Sequence, residues 1–221
     1  SLRYHVDLGA LSRAVRVFWN DVAVGVFADG GRVTGSQFTG GRLLLARLEG
    51  GRVRAEFEGG AVYRFGLNGR SLVVEAYSHA ADADGFSLGH YEGPLRYTAL
   101  EVPGLGSDAG TWAAVGALTG GDQSGVPVLF TSGILDWYRS EASEVRMASP
   151  TGQPADAMLH TIYRPTTSGE RNDLYERAML TISPRIEDVL PSLAQPVGQH
   201  ADTLTGRIWS DSDGPQDFHE A

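Results

Sequence analysis

Between Arg13 and Ala28 the chain reads RAVRVFWNDVAVGVFA, two runs of alternating apolar residues on either side of Asn20-Asp21. Asn and Asp accept positive φ more readily than most residues, so the pair predicts a tight hairpin turn. From Gly41 the pattern becomes regular: LLLARL, EGG, RVRAEFE, GG, AVYRFGL, Asn68-Gly69 and SLVVEAY follow in order. Val53, Ala55 and Phe57 fall on one face, with Arg52, Arg54, Glu56 and Glu58 on the other. That alternation predicts an antiparallel meander with one wet face. Strand-length runs cut by glycine turns every 8–12 residues or so predict an all-β fold, a sandwich or a barrel. No solenoid-type repeat is present.

The segment SHAADADGFSLGHYEG (78–93) predicts a long polar loop carrying His79, Asp82, Asp84, His90 and Tyr91. LRYTALEVP (95–103) and TWAAVGAL (111–118) return to strand character. VLFTSGILDWYRSEASEVRM (128–147) predicts two strands meeting at a bend at Gly133, with strand alternation resuming at Val145 and Met147. AMLHTIYRP (157–165) and YERAMLTIS (175–183) read as a pair of strands around the polar loop 166–173. The second contains good helix formers, but its Thr-Ile-Ser-Pro ending favours a strand. From Pro184 three prolines, one possible helical turn (IEDVL) and a polar, acidic remainder predict a linker or docking tail. The expected organisation is therefore a β-sandwich domain over residues 1–183 and an extended proline-rich tail over 184–221.

Composition narrows the chemistry. The 221 residues carry a formal net charge of −9, which argues against nucleic acid or an anionic membrane as a partner. All 18 basic residues are Arg, so Schiff-base chemistry and a phosphate-loop lysine are excluded. There is no cysteine, hence no disulfide, and oxidising and reducing compartments are equally compatible. No apolar run is long enough for a membrane-spanning helix. The opening SLRYHVDLGA lacks the charged-then-apolar build of a signal peptide. Its Ser-first start and the Trp209 and Phe218 of the tail carry the expectation that the native chain extends beyond this one, or that a partner covers the tail.

DADG (82–85) and DSDG (211–214) resemble the opening of a calcium loop, but neither has the Glu at the twelfth position that closes one. They read as acidic turns, and no metal or other cofactor is expected. Ser132 lacks the glycine before it that a nucleophile elbow uses, and the glycine clusters are not followed by Lys. The densest polar and aromatic cluster is Asp136, Trp137, Tyr138, Arg139, Glu141 and Glu144. Its carboxylates are candidates for glycoside chemistry and its aromatic rings for a sugar platform. The plainer alternative makes Asp136 and Arg139 a paired polar edge, with Trp137 in the core or at a contact between domains.

GILDWYRSEAS (133–143) resembles a segment of bacterial carbohydrate-active proteins in which an N-terminal β-sandwich precedes a barrel. TSGERNDLYERAMLTISPRIEDVLPSLAQP (167–196) is similar to the exit from that sandwich, where a strand ends in Ser-Pro before a linker. The general build is similar to the supersandwich (galactose-mutarotase-like) domains of α-galactosidase-like and related glycoside hydrolases. The resemblance implies an accessory domain that shapes a sugar site, with the catalytic carboxylates in a barrel outside this chain, since about 250 residues are typical for such a barrel alone. It implies Asp136, Trp137, Tyr138, Arg139 and Glu141 as the residues facing a carbohydrate, and a following catalytic domain or a second subunit as partner. Two further readings stay open: a free-standing lectin-like module, with Trp112, Trp137, Tyr138 or Tyr163 lining one face, and a structural domain whose tail docks on a neighbour. A stand-alone hydrolase would need two of Asp136, Glu141, Glu144, Asp82 and Glu92 in one cleft.

Overall fold

In the computed structural model of the chain, the residues described are 1–9, 15–27, 31–35, 41–80, 82–89, 91–100, 113–120, 128–136, 139–148 and 158–190. They form strands and no α-helix. The first half supplies β1 (Leu2–Val6), β2 (Val15–Trp19), β3 (Val22–Phe27), β4 (Arg32–Gly35), β5 (Leu43–Glu49), β6 (Arg52–Phe57), β7 (Val62–Asn68) and β8 (Ser71–Ser78). The second half supplies β9 (Ala83–Gly89), β10 (Tyr91–Glu92), β11 (Arg96–Ala99), β12 (Ala113–Thr119) and β13 (Leu129–Leu135). It closes with β14 (Glu144–Ala148), β15 (Met158–Ile162), β16 (Leu174–Ser183) and a single 3-10 turn at Ile186–Asp188, within the predicted IEDVL. Ser1–Leu190 make one compact unit, held to the end by the fully buried Val189, while residues 191–221 make another that lies outside the described residues. The tail's Trp209, Phe218 and DSDG lie there too.

Three antiparallel sheets result. The largest has the order β11-β12-β13-β16-β8-β7-β6-β5; the others are β1-β2-β3-β10 and β14-β15-β9-β4. Turn chemistry explains the hairpins. Asn20 and Asp21 both have positive φ (45° and 69°), as a two-residue hairpin turn requires, and they join β2 to β3. Gly50 and Gly51 do the same between β5 and β6. The turn between β7 and β8 is shifted by one residue from the expected Asn68-Gly69: Asn68 still pairs with Ser71, and Gly69-Arg70 form the loop.

Alternation then divides each strand of the large sheet into two faces. Tyr63, Phe65, Leu72, Val74, Ala76, Leu174, Ala178, Leu180 and Ile182 are buried on one face. They share a single core with Val15, Val17 and Val24 of the β1-β2-β3-β10 sheet and with Val33, Phe86, Leu88 and Val145 of the third. The Tyr63 hydroxyl reaches across this core to accept the Val33 N–H at 2.8 Å, and burial pushes that phenol's pKa well up.

Three expectations are corrected. The segment 78–93 is not a loop: DADG runs straight into β9, which pairs with β4 and β15. Its Gly85 serves close packing, since a Cβ there would lie 2.4 Å from the Thr161 carbonyl oxygen. Gly133 marks no bend, for it sits mid-strand in β13, opposite Ala114 on one side and Leu180 on the other. The strands β15 and β16 do not pair with each other, because β15 lies between β14 and β9 and β16 between β13 and β8.

Because the atom facing Gly85 is backbone and cannot rotate away, Gly85→Ala is expected to destabilise the protein by about 1–3 kcal/mol. Chemical denaturation measures this; an unchanged midpoint would contradict the packing described here.

Candidate functional site

The site grows from β16, the longest strand, and from the way β13 leaves it. The last rung between them is the Asp136 N–H donated to the Arg177 carbonyl at 2.7 Å. Two residues away, Tyr175 turns its N–H and C=O towards the same side, where β13 no longer runs. The Tyr163 hydroxyl takes that place: it accepts the Tyr175 N–H (3.2 Å) and faces the Tyr175 carbonyl (3.1 Å). Tyr163 is itself pinned, its N–H donating to Asp84 of β9 and its carbonyl accepting from Arg171. Its side chain is buried, so it lines no exposed face and is no candidate for a sugar platform.

The same hydroxyl lies 2.8 Å from Glu176 Oε1, and Ser140 donates to that oxygen at 3.0 Å. Glu176 is fully buried on the core face of β16. Its other oxygen and the nearby Thr161 hydroxyl have no hydrogen-bond partner of ordinary geometry. Burial pushes the Glu176 carboxyl up to about 7, although Tyr163, Thr161 and Ser140 pull it back. Burial, followed by the Glu176 charge, pushes the Tyr163 phenol up in turn.

The opposite face of β16 is half-buried at Tyr175, Arg177 and Met179 and carries the polar cluster. Arg177 lies between two carboxylates, with Nε 3.6 Å from Glu75 Oε1 and Nη1 3.6 Å from Asp136 Oδ2. Arg52 also reaches Glu75, at 2.8 Å, by laying its stem across β7 at Gly66, where a Cβ would come within 2.9 Å of Arg52 Cγ. Arg139 approaches Asp136 at 3.7 Å. The adjacent Tyr175 hydroxyl, and then Asp136, push the Arg139 pKa above its ordinary value. Tyr175 stands directly opposite Tyr77 of β8, both half-buried on this outer face. The His79 ring packs edge-on against Tyr77 at 4.4 Å between centroids, and its Nδ1 bonds Asp173 at 2.5 Å. The arrangement offers two flat aromatic rings, hydrogen-bonding carboxylates and guanidinium groups side by side.

Of the residues singled out in the sequence, Asp136 and Arg139 meet in this cluster. Glu141 is exposed, and its carbonyl accepts from Asn172. Glu144 is engaged separately by Arg164 at 2.6 Å. Trp137 and Tyr138 lie outside the described residues, as do Trp112 and His90. Sequence reasoning missed Glu75, Tyr77, Tyr175, Glu176 and Arg177. A signal for the last three was present in LYERAMLTIS: strict alternation puts Tyr175 and Arg177 on one face and places Glu176 among Leu174, Ala178 and Leu180 on the other. Among the described residues no group of three or more metal-ligating side chains converges, and none of their helices is long and apolar enough to cross a membrane.

No protein-family model matches the chain, and no curated protein matches it.

The buried carboxyl has a measurable consequence. An unfolded Glu ionises near 4.5, whereas folded Glu176 keeps its proton to about 7. Between those values only the unfolded state gives up the proton, so stability falls as pH rises through that window and levels off above it. The expected loss is up to about 3 kcal/mol. Denaturation series across this range should show it in the native protein and not in Glu176→Gln; equal pH profiles for the two would contradict the assignment.

Proposed function

We propose that this chain is a carbohydrate-recognising accessory domain of a glycoside-hydrolase-like protein, built as a large antiparallel β-sandwich of the supersandwich, galactose-mutarotase-like kind. In this reading the eight-stranded sheet is one layer, and the two smaller sheets, which share its core, form the other. The observation that carries the functional reading is the outer face of β8 and β16. Tyr77 and Tyr175 are directly opposed there, next to Asp136, Arg139, Arg177 and Glu75. An apolar sugar face stacks on a flat ring while its hydroxyls meet fixed charged partners, and this cluster supplies both. Trp137 and Tyr138, which follow Asp136 directly, belong to the same proposed site.

The role is support and recognition, with catalysis assigned to a following domain or a second subunit. Glycoside hydrolysis asks for one carboxyl that holds its proton near neutrality beside one that does not, with the sugar between them. The carboxyl raised in that way, Glu176, faces the core on the reverse of the strand. The outer carboxylates Glu75 and Asp136 are engaged by arginines.

Glycan-array screening followed by calorimetry tests the reading. A bound glycan is expected, with affinity reduced at least about tenfold by Tyr175→Ala or Tyr77→Ala, each replacing a stacking ring by a methyl. Absence of binding to neutral and acidic glycans by folded protein would overturn it. So would a glycan whose affinity both variants retain.

A further inference from the structure

The Tyr163 hydroxyl has one hydrogen and two acceptors within reach of it. The Tyr175 carbonyl lies at 3.1 Å and Glu176 Oε1 at 2.8 Å, while the Tyr175 N–H comes in at 3.2 Å. A phenol gives a single hydrogen, so it cannot serve both oxygens at the same time. Which one it serves depends on whether Glu176 carries a proton. A neutral carboxyl with its proton on Oε1 donates to the Tyr163 oxygen, and the phenol hydrogen then goes to the Tyr175 carbonyl. Tyr163 in that arrangement accepts two bonds and gives one, and Ser140 still donates to Oε1 at 3.0 Å. An ionised carboxyl has no proton to give and is the stronger acceptor, so it takes the phenol hydrogen for itself. The Tyr175 carbonyl, where β13 no longer runs, is then left without that bond.

The groups packed on Glu176 come from several elements. Tyr163 and Thr161 approach from β15 and the segment after it, and Ser140 from the segment between β13 and β14. Ala76 of β8 stands opposite in the ladder, and Arg177 and Glu75 are on the reverse face. Burial is what chiefly holds the Glu176 proton, to about 7; the three hydroxyls oppose it, and the nearby Glu141 charge adds to it. Glu176 Oε2 is buried and has no hydrogen-bond partner, a setting that suits the carbonyl oxygen of a neutral acid better than a carboxylate oxygen. Burial, followed by the Glu176 charge, raises the Tyr163 phenol, so Tyr163 keeps its hydrogen throughout.

We propose that Glu176 and Tyr163 form a proton-operated latch on β16: with Glu176 protonated the Tyr163 hydroxyl closes the strand at the Tyr175 carbonyl, and ionisation turns that hydroxyl to the carboxylate and opens the strand there. The Glu176 proton leaves to solvent, and otherwise only hydrogen bonds change partner. The opening reaches the outer face, because Tyr175 carries one of the two opposed rings on it. A ligand on that face is therefore held more firmly below the Glu176 transition than above it. This last consequence rests on the recognition role proposed above, whereas the latch itself does not.

Carbon-13 NMR of the folded, ligand-free protein tests the latch as pH is raised from about 5 to about 9. The Tyr175 carbonyl carbon is expected to move upfield, as a carbonyl does on losing a hydrogen bond, with the same midpoint as Glu176 Cδ. Glu176→Gln, whose side chain offers a donor at every pH, should show no such movement. A Tyr175 carbonyl that stays in place across the range overturns the proposal. So does a carbonyl midpoint different from that of Glu176 Cδ, or an equal movement in Glu176→Gln.

Discussion

The Tyr163 hydroxyl is the point on which the two sides of the fold depend. When β13 leaves the sheet after Asp136, β16 has one residue, Tyr175, whose backbone has lost its strand partner. A buried N–H or C=O left unpaired costs about as much as a lost hydrogen bond, and among the described residues no other strand pairs there. Tyr163 comes from the segment just after β15, in a different sheet, and its single oxygen meets both groups. A side chain thereby does the work of a ladder rung and ties two sheets together. Glu176 and Ser140 complete the knot from β16 and from the segment joining β13 to β14.

That knot explains why charge sits on both sides of one strand with opposite consequences. Residues 175, 176 and 177 are consecutive, so the pleat sends Tyr175 and Arg177 outward and Glu176 inward. Outside, the carboxylates meet guanidinium groups in a half-solvated layer, where ion pairs are modest in energy but fix side-chain geometry. Inside, Glu176 has only hydroxyls for company and holds its proton towards neutral pH. The outer layer thus presents rings and charges in fixed positions, while the inner carboxyl serves the joint between sheets.

Much of this was legible in the chain. The Asn20-Asp21 hairpin and the β5–β8 meander follow from turn chemistry and alternation, as does the reading of YERAMLTIS as a strand in spite of its helix formers. The errors have a common origin. Polar and glycine-rich stretches carry the local signature of loops or bends, but Gly85 and Gly133 are mid-strand, the first because a neighbouring backbone leaves it no room for a side chain. Sheet membership was also beyond local pattern, for β15 and β16 are neighbours in sequence and belong to different sheets. Asp136 and Arg139 were recognisable as a charged pair. Their link to Arg177 and Glu75 was not, because it depends on the register of β8, β13 and β16, which no local spacing encodes.

The outer face of β8 and β16 is proposed to recognise a ligand, with the inner face structural. Aromatic side-chain NMR during a glycan titration tests it most directly, since tyrosines report from both faces. The Tyr77 and Tyr175 resonances are expected to shift on saturation while those of the buried Tyr63 and Tyr163 stay in place. Shifts at Tyr163 or Tyr63 with Tyr77 and Tyr175 unmoved would contradict it.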